Sequence, residues 1–460
     1  MRSTRTLSVL VVLLLLALCL PAGATSYNPS TTVIVYVHGF GNTGYNRVGV
    51  YGDDEPDPSV FDDVTKLATM LGQPTWQAAP TAANQVAGST YYGDTAPAWY
   101  TSQDIAADAA AAPYVPRYAL RIAKYIQHVL QRAPAATAVN IVSGSFGTEV
   151  SRYLIEHDLL GLASTQKIAR WNTIVGVTQG NWAATNSSDW FLQLMGGSPD
   201  IYDMRYTWVD ANISTHQNMN TALFGPMVIT HWAATDDSTE LTALTGYLYP
   251  NDGTNLVQDE YFLSYSTAAA LHAATDGTLQ MPGRAHQHVQ HSNIRYNDGM
   301  WAGVCAASQN NKRVTITLSR FKALSTGDGW LQGKGEFVFS FAATSPRAAA
   351  LYNCTVPLQD YHYEDGISPK LSLSRNETQY PGTVFFDQIV PPGETQLNLT
   401  LTVWELDWFY TYYRVTEDPS SADRNMGALS VSVSVNGNST VTVSNGNYQA
   451  DFTTTVRNVY

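Results

Sequence analysis

The hydrophobic pattern of this chain changes period part way along, and that change predicts two architectures in series. From Thr31 to about Gln290, short β-rich runs alternate with helical stretches. Residues 32–37 form a nearly continuous apolar run, as a strand buried on both faces requires. Pro116 opens a helix in which Ala119, Ile122, Ile126, Val129 and Ala133 recur at helical spacing. Residues 139–142, 171–177 and 227–232 read as further buried strands, and a helix is expected from near Gly147 to Gly161. Strands alternating with helices imply a parallel sheet covered on both faces. From Arg313 onward the helical period disappears. About eight alternating β runs follow, separated by Gly, Pro, Asn and Asp, which is the pattern of a β-sandwich. The boundary falls between Tyr296 and Lys312 and is set at residue 304, giving an α/β unit over 25–304 and an all-β sandwich over 305–460.

The charge balance excludes one class of partner. The 460 residues carry 25 Lys+Arg against 38 Asp+Glu, a formal net charge of -13. Nucleic-acid binding needs clustered positive charge to displace counterions, so that partner is excluded. The amino terminus reads as a secretory signal peptide over residues 1–24. Arg2 and Arg5 precede an apolar run from Leu7 to Leu20, and Ala22-Gly23-Ala24 supplies a small-residue cleavage site. No second apolar run approaches the length of a membrane helix, so the mature chain is expected to be secreted without an anchor. Cys305 and Cys354 would then remain, and in an oxidising compartment such a pair is expected to form a disulfide.

The residues richest in chemistry lie at 139–148, Val-Asn-Ile-Val-Ser-Gly-Ser-Phe-Gly-Thr. Ser145 stands between a buried strand and an amphipathic helix, with small residues two positions either side. A nucleophile elbow requires this, because the turn is too tight for bulk at 143 or 147. The hydroxyl would stand at a helix N-terminus, where partial positive charge favours a developing oxyanion. The usual pattern is G-x-S-x-G, and Ser143 replaces its first glycine. A second signal, Val37-His38-Gly39-Phe40-Gly41, directly follows the first buried strand.

Together these two segments resemble the α/β-hydrolase lipases, over roughly Thr31 to Ile294, and Arg152-Tyr153-Leu154 is similar to the helix that follows the lipase nucleophile. The resemblance implies an α/β-hydrolase fold, carboxylic ester substrates, and an oxyanion hole made by the backbone N–H groups of Phe40 and Phe146. It implies a triad in the order serine, acid, histidine. Tyr249-Pro250-Asn251-Asp252-Gly253 is similar to the segment around the lipase acid, which favours Asp252; Asp236 and Asp237 compete, since they follow the strand at 227–232. Val289-Gln290-His291-Ser292 resembles the lipase histidine loop, which favours His291, with His272 as the alternative. His291 would take the serine proton and return it to the leaving alcohol, while the carboxylate fixes its tautomer.

Other readings compete with parts of this one. His286, His288 and His291 approximate a metallohydrolase ligand cluster with Gln290 where an acid should stand. An insertion at about 181–226, rich in Trp, Phe, Leu and Met, could form a lid or acyl pocket, or simply complete the core. The sandwich is faintly similar to calcium-binding C2-like domains: Asp328, Glu405, Asp407, Asp418 and Asp423 could supply oxygen ligands, although solvated loops explain them as well. Trp330, Trp408, Phe409 and Tyr410 could touch lipid or polymer surfaces, or pack on the catalytic unit. The expectation is therefore a secreted serine hydrolase of carboxylic esters, a lipase or esterase, requiring no cofactor and meeting lipid only peripherally. The competitors are an extracellular polyester depolymerase with the same triad and a non-catalytic surface-binding protein on a hydrolase scaffold.

Overall fold

The computed structural model describes residues 27–41, 48–52, 58–189, 198–213, 221–224, 227–235, 251–261, 284–326, 334–354, 371–405 and 424–459. Six parallel strands form the first sheet: β1 (Thr32–Val37), β2 (Val86–Gly88), β3 (Ala138–Gly144), β4 (Ile168–Ile174), β5 (Val228–Thr235) and β6 (Arg284–His288), in the spatial order β2-β1-β3-β4-β5-β6. The longer helices among the described residues of this part are α1 (Pro58–Leu71), α2 (Ser102–Ala110), α3 (Val115–Arg132) and α4 (Phe146–Glu156), with short helices such as Trp182–Asn186 and Tyr206–Asn212 after them. A further longer helix, α5 (Asp298–Gln309), follows β6.

All six residues of β1 are buried, because helices cover both faces of the sheet. Val33, Val35 and Val37 pack with Ile122, Ile126 and Val129 of α3 and with Val150 and Leu154 of α4. Ile34 and Tyr36 point the other way, into a core with Val64 and Leu67 of α1 and Met300, Trp301 and Val304 of α5. The period-2 alternation of side chains thus assigns each helix to a face. The elbow helix ends earlier than its sequence suggested, at Glu156, where Asp158 and Leu160 adopt positive φ and a short 3-10 turn, Leu159–Gly161, takes over.

After α5 the described residues form ten antiparallel strands in two five-stranded sheets. One contains β7 (Lys312–Ala323), β11 (Thr378–Gln379), β12 (Thr383–Ile389), β15 (Ser439–Ser444) and β16 (Tyr448–Asn458). The other contains β8 (Gly335–Ser345), β9 (Ala348–Cys354), β10 (Leu371–Leu373), β13 (Gln396–Glu405) and β14 (Arg424–Ser434). Along β13, Leu397, Leu399, Leu401 and Val403 are buried while Asn398 and Thr400 are exposed, the alternation of a sandwich strand. An α/β sheet followed by a β-sandwich is therefore the architecture. Helix α5 runs straight through residue 304, the boundary expected from sequence, and the sandwich strands begin only at Lys312.

The two parts share one core. Trp232 of β5 and Trp301 of α5 belong to the same buried cluster as Val314 and Ile316 of β7, Phe339 and Phe341 of β8 and Phe385. Strands β9 and β12 pack on β6. At the other end of the sheet Arg170 of β4 is buried, donating to the carbonyls of Ala307 and Asn310 and to Asn311 Oδ1. Close approach is demanded at Gly303, where a Cβ would fall 1.9 Å from the Trp232 ring.

The expected disulfide is corrected here: Cys305 is a free, buried thiol in α5. Burial alone pushes it up to about 12, as for any thiolate deprived of water. The side chain of Cys354 lies outside the described residues, as do residues 1–24 of the expected signal peptide, Asp236, Asp237 and His272. The same holds for Asp328, Asp407, Asp418 and Asp423 of the expected calcium loops and for Trp330, Trp408, Phe409 and Tyr410. Glu405 is described and is buried at the end of β13. No helix among the described residues is long and apolar enough to cross a membrane.

Candidate active site

The site forms at the carboxyl ends of the parallel strands, where α/β sheets generally place their ligands. Strand β3 ends at Gly144 and α4 begins at Phe146, so Ser145 alone makes the turn between them. Its backbone is forced to φ 49°, ψ -126°, a conformation a non-glycine residue adopts only under constraint. The constraint is visible on both sides: Ser145 N–H donates to the Ile174 carbonyl at 2.9 Å, and the Ser145 carbonyl accepts from Thr148 N–H at 3.0 Å. Gly147 is obligatory, since a Cβ there would stand 2.3 Å from the His38 carbonyl oxygen. Position 143 is less demanding. The Ser143 hydroxyl is buried and accepts a 2.8 Å hydrogen bond from Trp171 Nε1, so this serine is structural and only Ser145 of the pair faces the site.

Ser145 Oγ lies 3.0 Å from His291 Nε2. His291 Nδ1 lies 2.5 Å from Asp252 Oδ2. The imidazole is partly exposed and the carboxylate wholly buried. Asp252 Oδ1 accepts the backbone N–H groups of Thr254 at 2.8 Å and Asn255 at 2.6 Å, which pins the carboxylate in one rotamer. The loop is also fixed to the histidine through the backbone, because His291 N–H donates to the Asp252 carbonyl at 2.9 Å. The structure thus brings together Ser145, Asp252 and His291, residues 146 and 39 positions apart along the chain.

The histidine segment has its own supports. It begins a 3-10 turn, His291–Tyr296, within which Arg295 pairs with the buried Asp63 of α1 at 3.0 Å. The Arg295 carbonyl accepts Trp301 Nε1 at 2.7 Å. The two His291 ring nitrogens face the serine and the aspartate, which accounts for this member of the His286, His288 and His291 set within the relay. The side chains of His286 and His288 lie outside the described residues. Among the described residues no group of three His, Cys, Asp or Glu side chains could hold a metal ion.

Opposite the histidine, the loop after β1 runs against the serine. A Cβ on Gly39 would lie 3.0 Å from Ser145 Cβ and 3.7 Å from its Oγ. The next residue, Phe40, meets Phe146 edge to face with ring centroids 5.9 Å apart. The loop is held from below by Tyr91, whose hydroxyl donates to the carbonyls of His38 at 3.0 Å and Gly39 at 3.1 Å. The buried His38 ring stacks on the Tyr91 ring at 3.9 Å. Both expected oxyanion residues therefore flank Ser145.

The described part of the insertion at 181–226 divides between core and site. Met204 and Phe224 are buried in the core on the α3 and α4 side of the sheet, and Trp208 packs against it. Trp182 and Tyr206 instead reach Asp259, a fully buried carboxyl seven residues beyond Asp252. Asp259 is raised to about 7 by burial first, with the Asp252 carboxylate adding to the effect. The aromatic run around Trp190, with Phe191, Leu192, Leu194 and Met195, lies outside the described residues.

Sequence reasoning passed over Asn255, Asn181 and Tyr91. Asn255 is signalled only by its place three residues after an Asx-turn aspartate, and the other two carry no local signal.

No known protein-family profile and no curated protein matches this chain. Among solved structures it is similar to a metagenomic carboxyl esterase, at 14% identity and TM-score 0.34, over 59% of this chain and 68% of that one. It is similar to carboxyl esterase 2 from the mycorrhizal fungus Tuber melanosporum at 13% identity and TM-score 0.30, over 57% and 70% of the two chains. A C2-type domain of a plant extended synaptotagmin 1 is similar over 33% of this chain and 98% of its own, at 12% identity and TM-score 0.20. Overlaps of this quality leave the chemistry to the geometry of the site.

Proposed function

We propose that the protein is a serine hydrolase of carboxylic esters, a secreted lipase or esterase that works through an acyl-enzyme. The observation that carries this reading is the hydrogen-bonded relay Ser145 Oγ–His291 Nε2, His291 Nδ1–Asp252 Oδ2, built on a strained serine at a strand-to-helix turn. Ser145 Oγ attacks the ester carbonyl carbon as its proton passes to His291 Nε2. The resulting oxyanion is met by the N–H groups of Phe40 and Phe146, at the positive end of α4. Collapse of the intermediate expels the alcohol, which takes the proton back from His291 and leaves the acyl group on Ser145. Water then repeats the two proton transfers and frees the acid. Asp252 keeps the proton on Nδ1 in the resting imidazole and balances the positive charge that forms. No step calls for a cofactor, and calcium, if bound by the sandwich, lies outside this chemistry.

The test is fluorophosphonate labelling of the protein with peptide mapping, together with hydrolysis of p-nitrophenyl esters of increasing chain length. A label on Ser145, lost in Ser145→Ala and His291→Ala, is expected. A folded protein that takes no label and cleaves no ester would overturn the reading.

A further inference from the structure

We infer that the insertion beginning at Asn181 is a positioning element for the triad acid, acting through two buried side-chain clasps. The inference rests on the serine-hydrolase reading above for its consequence in rate, though its geometry stands without it.

The first clasp is Asn181. Its side-chain oxygen accepts Ala184 N–H at 2.7 Å and so caps the short helix Trp182–Asn186. Its amide nitrogen faces the opposite way, donating to the Thr254 carbonyl at 3.0 Å and to Asn255 Oδ1 at 2.7 Å. Asn255 is completely buried and is itself fixed by donation from its Nδ2 to the Val175 carbonyl at 2.8 Å. The backbone N–H groups of these same two residues, 254 and 255, hold Asp252 Oδ1. A side chain of the insertion therefore grips the turn that grips the acid.

The second clasp is Asp259. One carboxyl oxygen accepts Tyr206 Oη–H at 2.6 Å and the other accepts Trp182 N–H at 3.0 Å. Its carbonyl accepts the N–H and the hydroxyl of Thr178, which follows β4. Tyr206 has little freedom, because a Cβ on Gly180 (φ +96°) would already stand 2.7 Å from its ring. Two segments of the insertion, one at Trp182 and one at Tyr206, are thus pinned to the loop that carries Asp252. A buried amide or carboxyl at such a junction leaves its partners unsatisfied if the insertion shifts, which ties the acid's orientation to the insertion's place.

The informative variant is Asn181→Asp. It keeps the oxygen that caps the helix and removes both donations to the acid loop, so a residue that merely caps the helix would tolerate it. Tyr206→Phe, which removes one hydroxyl and keeps the ring, serves as the second. Two readouts are taken: kcat and KM for a p-nitrophenyl ester per labelled active site, and the 15N shifts of the His291 ring, with Asp252→Asn as the limiting case. Displacing the acid is expected to lower kcat by about 10-fold to 100-fold in Asn181→Asp with KM unchanged. A smaller loss in the same direction is expected for Tyr206→Phe. The His291 ring shifts should move from the wild-type values toward those of Asp252→Asn. Wild-type kcat per site and wild-type ring shifts in both variants would overturn the inference, even if the yield of folded protein fell. A wild-type protein that cleaves no ester would fail the serine-hydrolase reading alone, since the ring shifts still decide whether the clasps orient Asp252.

Discussion

The serine and the acid of this site are held by opposite means. Ser145 is fixed by its immediate neighbours: the end of β3, the first turn of α4 and the exclusion of any side chain at Gly147. Asp252 belongs to no long element. Its place comes from a turn at 252–255, a backbone bond to His291, and bonds linking Asn255 to the Asn181 side chain and the Val175 carbonyl, 74 and 80 positions away. The serine's turn is written in five consecutive residues, with only the carbonyls of Ile174 and His38 closing on it from neighbouring strand ends, whereas the acid's place is a property of the assembled fold. Strain at the serine should therefore survive changes elsewhere, and the acid should be the member that distant substitutions disturb.

Removing the chemistry itself gives the largest effect. Ser145→Ala is expected to lower kcat for a p-nitrophenyl ester by on the order of 10⁴-fold or more, with circular dichroism unchanged. Asp252→Asn should cost about 10⁴-fold, since the amide would favour the wrong imidazole tautomer. A much smaller loss in Asp252→Asn would break the relay and return the acid to Asp236 or Asp237.

The two small positions around the serine sharpen the contrast next. Gly147→Ala should destabilise by about 3 kcal/mol in urea unfolding, because its Cβ would drive into the His38 carbonyl. Ser143→Gly restores the common motif yet should cost about 1–3 kcal/mol, since it leaves the buried Trp171 Nε1 without its acceptor. Activity per folded molecule should hold in Ser143→Gly, as that hydroxyl faces away from the reaction.

These residues also show what could be read from sequence. The nucleophile was legible because its requirement is local: small, any, Ser, any, small, between an apolar run and a helix. The sheet was legible from the continuous burial of β1, β3 and β4, and the sandwich from the alternation in β13. Strand β6 was not, because its run Arg-Ala-His-Gln-His has no apolar period. It is a strand only because β5 pairs with it and β9 and β12 pack on it. Asp252 and His291 emerged through motif similarity rather than pattern. Asn181 and Tyr91 were illegible, since their partners lie 74 and 53 positions away.

A subtler effect sits on the elbow helix. Glu149 is fully buried one turn after Ser145, with neither carboxyl oxygen hydrogen-bonded, and burial raises it well above its usual value of 4.5, with Asp203 adding and Arg152 opposing. A carboxyl raised in the folded state costs nothing below the unfolded value. Its penalty grows as pH rises from near 4.5 toward the raised folded value. Glu149→Leu should therefore stabilise by about 1–3 kcal/mol at pH 8, measured by denaturant midpoint, and by less at pH 4. An equal gain at both pH values would show that the carboxyl is solvated.

The smallest expected effect concerns Cys305. With no disulfide there, dithiothreitol should leave the melting temperature unchanged. Iodoacetamide should modify this thiol only after unfolding, because it is buried and pushed up to about 12. A drop in melting temperature on reduction would instead reveal a cross-link involving Cys305.

The core shared by sheet and sandwich constrains the order in which the molecule can be made. All three triad residues have been synthesised by His291, yet much of the buried cluster that holds Trp232 and Trp301, including Val314, Ile316, Phe339 and Phe341, follows only after Lys312. Val459 packs beside Val228 at the start of β5, and its N–H donates to the Asn311 carbonyl at 2.8 Å. Synthesis thus delivers the reactive groups well before the surface that covers their scaffold. A ribosome-bound chain halted at residue 311 is expected to bind a hydrophobic dye and to aggregate on release, rather than behave as a smaller working enzyme. Maturation is then a single late event, completed when the distal strands close over the tryptophans.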